Sequence, residues 1–326
     1  MPGLIEIGLD RWRACDWGAI VANLKGEPVK PKPRSPRRHQ ERAIAAARKH
    51  FVDDKAVRGR LIMPCGTGKS LTAFWIAGAL KAKTVLVAVP SLALIRQSVA
   101  DWTREFLANG QIPDWLCVCS DETVGKLEKD EFVGEIYDTG LPTYTDPKEI
   151  APLLHPRGKT PTIVFTTYQS SDKLAHAARL AGITFDLAIL DEAHKTVGVR
   201  SKKFATLLRD QNLKARRRLF MTATEKVFVG ENGDSRILSM DNEADYGKRF
   251  FEMSFKEAIK QNIICDYKIL TITVADKRVT KIIEDNRILD LDPRHLEESE
   301  ARSVAAGIAV EQVFEEQGAT HGIGFN

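Results

Sequence analysis

Runs such as TVLVAV at 84–89 and FDLAIL at 185–190 are apolar except at Thr84 and Asp186 instead of alternating, and this restricts the fold more than any other feature of the chain. A strand with one wet face alternates; a strand covered on both faces does not. GRLIMP, WLCVCS, TIVFTTY and RRLFMTAT supply four more strand candidates of similar character. Segments with helical character separate several of them: HQERAIAAARKHF, KSLTAFWIAGALKA and LALIRQSVADWTREFL. Strand and helix in succession predict an α/β fold, a doubly wound parallel sheet. Ligands of such sheets bind beyond the carboxyl ends of the strands, and the motifs below all fall there.

Composition narrows the class only a little. The 48 basic and 44 acidic side chains of the 326 residues leave a net charge of +4, which permits nucleic-acid binding without demonstrating it. No apolar run approaches the ~18 residues of a membrane span, and the first residues, MPGLIEIGLDRWRACDW, lack the pattern of a secretory signal. The five cysteines have no zinc-ligand spacing and read as reduced thiols of a cytoplasmic protein. Residues 26–38, GEPVKPKPRSPRR, read as an extended, basic, solvated linker, with Trp12 and Trp17 upstream in a short amphipathic segment. Residues 120–160 interrupt the alternation with a long polar stretch that is either functional or partly disordered.

Three motifs carry the chemistry. The first is PCGTGKS, Pro64, Cys65, Gly66, Thr67, Gly68, Lys69 and Ser70, between a strand and a helix. Glycines let backbone N–H groups turn inward around a phosphate chain, and the helix that follows aims its positive end at the same place. Lys69 is placed to reach the β- and γ-phosphates of ATP, and Ser70 to hold Mg2+. Met63 stands where the full pattern has its first glycine. The second motif is DEAH, from Asp191 to His194, directly after a buried strand and about 120 residues beyond the first. Asp191 suits the metal, and Glu192 suits a water that must be oriented and deprotonated. The third is Thr222-Ala223-Thr224 at the end of the last strand candidate, whose hydroxyls could couple to His194.

Together these residues resemble motifs I, II and III of superfamily 2 helicases and translocases, which implies a RecA-like sheet. Val89-Pro90-Ser91, continuing to Gln97, is similar to motif Ia, and Thr166 to Ser170 to motif Ib. The resemblance implies DNA-backbone contacts from Ser91, Gln97, Thr167 and Gln169. His39-Gln40 looks like the upstream glutamine motif, in which Gln40 reads the adenine edge. The phrases RSPRRHQ, LIMPCGTGKS, VPSLALIRQS, VFTTYQS, DEAHKTVG and RRLFMTATE narrow the likeness to the helicases of type ISP restriction-modification enzymes. In those enzymes a nuclease precedes the motor, and a methyltransferase with a target-recognition domain follows it. Glu225 stands where many relatives have proline.

The expected organisation is an N-terminal segment and linker at 1–35, a RecA-like ATP-binding lobe at 36–255, and a connector with the incomplete start of a second RecA-like lobe at 256–326. The expected activity is ATP-dependent movement on DNA. An RNA helicase and a non-translocating nucleotide switch are the alternatives. Because motifs IV to VI belong to the second lobe, the resemblance implies that this chain binds ATP and scarcely turns it over alone.

Overall fold

The computed structural model describes residue 25 and residues 31–119, 143–158, 160–199, 203–228 and 237–266. Trp12, Trp17, Cys15, residues 120–142 and everything after residue 266, including the second-lobe expectation, lie outside the described residues. The chain divides into two units, Met1–Ile264 and Cys265–Asn326, and the architecture below is that of the first.

Eight parallel strands form one sheet: β1 (Arg58–Ile62), β2 (Thr84–Val89), β3 (Asp114–Val118), β4 (Thr143–Tyr144), β5 (Thr162–Thr167), β6 (Leu187–Leu190), β8 (Arg218–Thr222) and β10 (Lys248–Glu252). Their spatial order is β10-β1-β8-β6-β2-β5-β3-β4; β7 (Gly198–Val199) and β9 (Ile237–Leu238) make a separate antiparallel pair. The helices are α1 (Arg38–Arg48), α2 (Lys69–Ala79), α3 (Leu92–Ala108), α4 (Pro147–Leu153), α5 (Ser171–Ala181), α6 (Glu243–Tyr246) and α7 (Phe255–Lys260).

The uniformly apolar strands are explained by two cores, one on each face. Val85, Val87 and Val89 of β2 enter a core with Ala73 and Ile76 of α2 and Ile95, Val99 and Trp102 of α3. Leu86 and Ala88, pointing the other way, enter a second core with Ile150 of α4 and Leu174 and Ala178 of α5. Each such Val or Leu stabilises the fold by roughly 1.5–3 kcal/mol relative to exposure. The doubly wound sheet expected from the sequence is therefore what the chain forms.

Three features depart from the local reading. Strand β10 is an edge strand with a mostly exposed face, KRFFE, and carries no apolar run to mark it. It pairs with β1 because Gly247, at φ +74°, lets the chain approach where a Cβ would lie 2.1 Å from the Arg58 carbonyl oxygen. Within the polar interruption, residues 143–158 include β4 and α4; Asp146 caps α4 by accepting from the Lys148 N–H at 2.8 Å. Within the basic linker, Arg34 is not free in solvent. Its backbone N–H donates to Glu105 at 3.0 Å and its guanidinium lies 2.8 Å from Asp101, both carboxylates on α3. Glu105 is fully buried, and a buried carboxylate needs such partners.

Among the described residues Cys65, Cys117, Cys119 and Cys265 form no disulfide, and the Sγ atoms of Cys117 and Cys119 lie 3.6 Å apart. No described helix is long and apolar enough to cross a membrane.

Candidate functional site

The sheet order turns scattered motifs into neighbours. Strand β1 leads into Pro64–Ser70, β8 ends at Thr222, and β6 ends beside Asp191, and these strands lie side by side as β1-β8-β6. The Met63 N–H donates to the Thr222 carbonyl at 3.0 Å, tying the first motif to the third. Further along the same edge come β2, followed by Ser91, and β5, followed by Gln169.

The loop of the first motif is held by its own groups. Thr67 is buried, and its hydroxyl donates to the Pro64 carbonyl at 2.7 Å. Gly66 and Gly68 take φ +81° and +83°, and a Cβ on Gly68 would lie 2.6 Å from the Gln40 amide nitrogen. Helix α2 starts at Lys69, so its first-turn N–H groups face the loop. Lys69 is 9% exposed, with Nζ 3.4 Å from Glu192 Oε1 and 3.8 Å from Cys65 Sγ. The Ser70 hydroxyl is buried with no hydrogen-bond partner in the protein. An orphaned oxygen there fits a cation or phosphate ligand; left alone it would cost roughly 1–3 kcal/mol.

Asp191 and Glu192 share a site but differ in environment. Burial, reinforced by the negative charge of Glu192, pushes the Asp191 carboxyl up from 3.8 to about 6, against the pull of Lys69, the Glu192 N–H and His194. Burial also raises Glu192, but a hydrogen bond from His194 and the charges of Lys69 and His194 outweigh it, so this carboxyl titrates below its usual range. Glu192 adopts φ 48° and ψ 46°, the left-handed region that non-glycine residues avoid. Asp191 and Ser70 together could hold a divalent cation. No group of three or more His, Cys, Asp and Glu side chains among the described residues forms a self-sufficient metal site. A hydroxyl and a carboxylate suit Mg2+, which typically takes one or two protein ligands together with phosphate oxygens.

His194 joins the second motif to the third. Its Nδ1 lies 2.9 Å from Thr222 Oγ1 and 3.4 Å from Glu192 Oε2. The Thr222 hydroxyl also lies 2.9 Å from the Thr224 carbonyl, so it stands between His194 and Thr224. His194, Thr222 and Thr224 are thus brought together by direct contacts.

Other site residues are less simply disposed. Both ends of the Gln40 amide are engaged: Oε1 accepts from the Arg37 N–H at 2.9 Å, and Nε2 lies 3.2 Å from the Gly68 carbonyl. His39 Nε2 is 2.9 Å from the Thr67 carbonyl. Gln40 therefore braces the Pro64–Ser70 loop, beside a cleft of about 690 Å³ lined by Arg37, Arg38, Arg42, His39, Asn262 and neighbouring residues. Gln97 is exposed on α3 and Ser91 is half-buried at its start. Thr167 is fully buried and its hydroxyl donates to Ser170 Oγ at 3.2 Å, so it is not presented at the surface. Gln169 is half-buried, and its Oε1 has no partner.

Two residues at this edge make contacts that had no signal in the sequence. The buried Tyr168 hydroxyl donates to the Asp191 carbonyl at 2.6 Å. Glu225, which follows the third motif, accepts from the buried Arg60 of β1 at 2.7 Å and lies 3.4 Å from Arg249.

Comparison with known proteins points one way. The family model described as type III restriction enzyme, res subunit, matches residues 34–227. A probable helicase of African swine fever virus is 29% identical over 213 residues, which cover 65% of this chain and 21% of that protein. The structure of the ATP-dependent type ISP restriction-modification enzyme LlaBIII bound to DNA matches with a TM-score of 0.65 and 28% identity, covering 86% of this chain and 19% of the other. A nuclease-deletion mutant of the type ISP enzyme LlaGI, in complex with a DNA substrate mimic, matches with a TM-score of 0.55 and 27% identity, covering 86% and 24%. The chain thus spans about a fifth to a quarter of the length of these relatives.

Proposed function

We infer, because this chain belongs to the family of the type III restriction enzyme res subunit, that it binds and hydrolyses ATP with Mg2+ at the carboxyl edge of its sheet and couples that cycle to movement along DNA. It is a helicase-type motor domain related to the type ISP restriction-modification enzymes. The observation that carries the chemical reading is the convergence of Lys69, Ser70, Asp191 and Glu192 at the ends of β1 and β6, with a buried Ser70 hydroxyl that has no protein partner.

The geometry supports the following roles. Residues Cys65 to Gly68 offer backbone N–H groups to the phosphates, and Lys69 adds a cation at the β- and γ-positions. Ser70 and Asp191 hold Mg2+, which when bound neutralises charge on the phosphate oxygens. Glu192 orients the attacking water and accepts its proton. His194, Thr222 and Thr224 relay the state of this site along the edge. Gln40 supports the phosphate loop beside the cleft in which the adenine lies.

Ser91, Gln97 and Gln169 face the DNA backbone, and Thr167 shapes that segment from within. We place the ATP-binding lobe at 36–255, the linker before it, and a connector leading into a second RecA-like lobe at 256–326. One lobe presents one side of the nucleotide. The arginine that stabilises the transferring phosphoryl group comes from elsewhere, so turnover by this lobe alone is slow. Nuclease and methyltransferase functions belong to the surrounding system.

Fluorescence anisotropy of a labelled duplex tests the coupling. The affinity for DNA of arbitrary sequence should differ between ADP and a non-hydrolysable ATP analogue, and should fall steeply with salt. Equal affinity in both nucleotide states would favour a switch that does not act on DNA. A nucleotide-dependent preference for duplex RNA would favour an RNA helicase.

A further inference from the structure

Glu192 stands in an unusual backbone state. Four non-glycine residues among those described have positive φ: Lys55, Lys81, Asn262 and Glu192. Lys81 and Asn262 follow the ends of helices, and Lys55 follows the turn after α1, places where a left-handed residue ends a helical segment. Glu192 instead comes almost directly off a strand, β6. A left-handed residue in such a position persists only when its surroundings determine it.

The peptide joining Asp191 to Glu192 is held at both of its polar ends. The Glu192 N–H donates to Asp191 Oδ1 at 3.0 Å. The Asp191 carbonyl, the other half of the same peptide, accepts from the Tyr168 hydroxyl at 2.6 Å. The Asp191 N–H donates in turn to the Ala88 carbonyl of β2 at 2.9 Å. Turning this peptide over would break the first two of these bonds, and the direction of the Glu192 side chain would change with it.

The contact from Tyr168 is not a local one. Tyr168 follows β5, whereas Asp191 follows β6, and β2 lies between those strands. The residue therefore reaches across one strand end, from the segment that carries Gln169. Its ring is fully buried in the core that also holds Leu190 and Ala193, so the hydroxyl is delivered from a fixed base.

We propose that Tyr168 is a positioning residue for Glu192: its hydroxyl fixes the 191–192 peptide, and thereby aims the Glu192 carboxylate for hydrolysis. This rests on the hydrolytic role given to Glu192 above. Tyr168 does not touch the nucleotide, and its removal should leave nucleotide binding intact.

The test is Tyr168→Phe, which keeps the buried ring and removes only the donor. Mg-ATP affinity is measured by calorimetry on the full chain, and hydrolysis under single-turnover conditions, with the chain in excess over radiolabelled ATP. Tyr168→Phe should bind Mg-ATP within about twofold of the wild type and hydrolyse it at least about tenfold more slowly, the pattern of a lost transition-state contribution. Adding Tyr168→Phe to Glu192→Gln should give no further loss of rate, because the residue acts through Glu192. A simple packing role predicts additive losses and weaker binding, and either result would overturn the proposal. So would wild-type hydrolysis by Tyr168→Phe. Failure of the wild-type chain to bind Mg-ATP would instead sink the functional reading on which the proposal stands.

Discussion

Asp191→Asn should make the metal-free protein more stable while crippling its metal site. In the folded state the Asp191 carboxyl titrates at about 6, against 3.8 for a free group, chiefly because burial disfavours its charge. At about 1.4 kcal/mol per pH unit, a shift of about two units corresponds to a cost near 3 kcal/mol for keeping this group ionised in the fold. The sign follows from linkage. An acid whose folded pKa is raised favours the folded state while protonated, and loses that advantage as pH rises from about 3.8 through about 6. The full cost is therefore present at pH 7.5, and roughly half of it has gone by pH 5.

Asparagine removes the charge and can still accept from the Glu192 N–H, the bond made at 3.0 Å by Asp191. Its new N–H group needs a partner, which offsets about 1–2 kcal/mol of the gain. The net expectation is a stabilisation of about 1–2 kcal/mol at pH 7.5 that shrinks or reverses by pH 5. Urea unfolding in EDTA across pH 5 to 8 measures it directly. Saturating Mg-ADP should then reverse the order, because only the wild type gains the full binding free energy. An Asn variant less stable than the wild type at pH 7.5 without metal, or a difference that does not change with pH, would refute the reasoning.

Two further substitutions separate other parts of the account. Glu192→Gln should bind Mg-ATP about as well as the wild type yet lose about 10²-fold or more in hydrolysis by a complete two-lobed motor, since an amide cannot take the proton of water; normal turnover would require another base. Glu225→Ala should cost about 3 kcal/mol in a urea titration, because it strands the charge of Arg60, which is 6% exposed; a loss below about 1 kcal/mol would mean that the Gly247 carbonyl, 2.9 Å from Arg60 Nε, suffices as a partner.

Much of the fold was readable because its signals are local. Uniformly apolar strands such as Thr84–Val89 follow from the two cores that flank them, and PCGTGKS and DEAH declare themselves by residue type and strand context. Features that depend on distant partners were not readable. Glu105 lies on an amphipathic helix, and nothing nearby shows that it is buried against Arg34, 71 positions away. Lys248–Glu252 is a charged edge strand whose pairing depends on the space beside Gly247.

The site divides in the same way. The residues proposed to handle phosphate and metal are local motifs, and the fold brings them together. Residues that orient them are not. Tyr168 reads as one more aromatic residue at a strand end, and only the order β6-β2-β5 shows that it reaches Asp191. Gln40 is found by spacing, but spacing does not reveal that its amide is engaged by Arg37 and Gly68. Thr167 has the residue type of a backbone contact, and burial removes it from the surface.

Calorimetric titration of Mg-ATP into the wild-type chain and into Lys69→Ala tests the central claim most directly. Lys69 is the cation that the structure places against Glu192, 3.4 Å away, at the mouth of the phosphate loop. The wild type should bind one nucleotide per chain in a manner that requires Mg2+. Lys69→Ala, while still folded, should show no measurable binding. Unchanged affinity in Lys69→Ala would place the nucleotide elsewhere and contradict the assignment of this edge as the motor's ATP site.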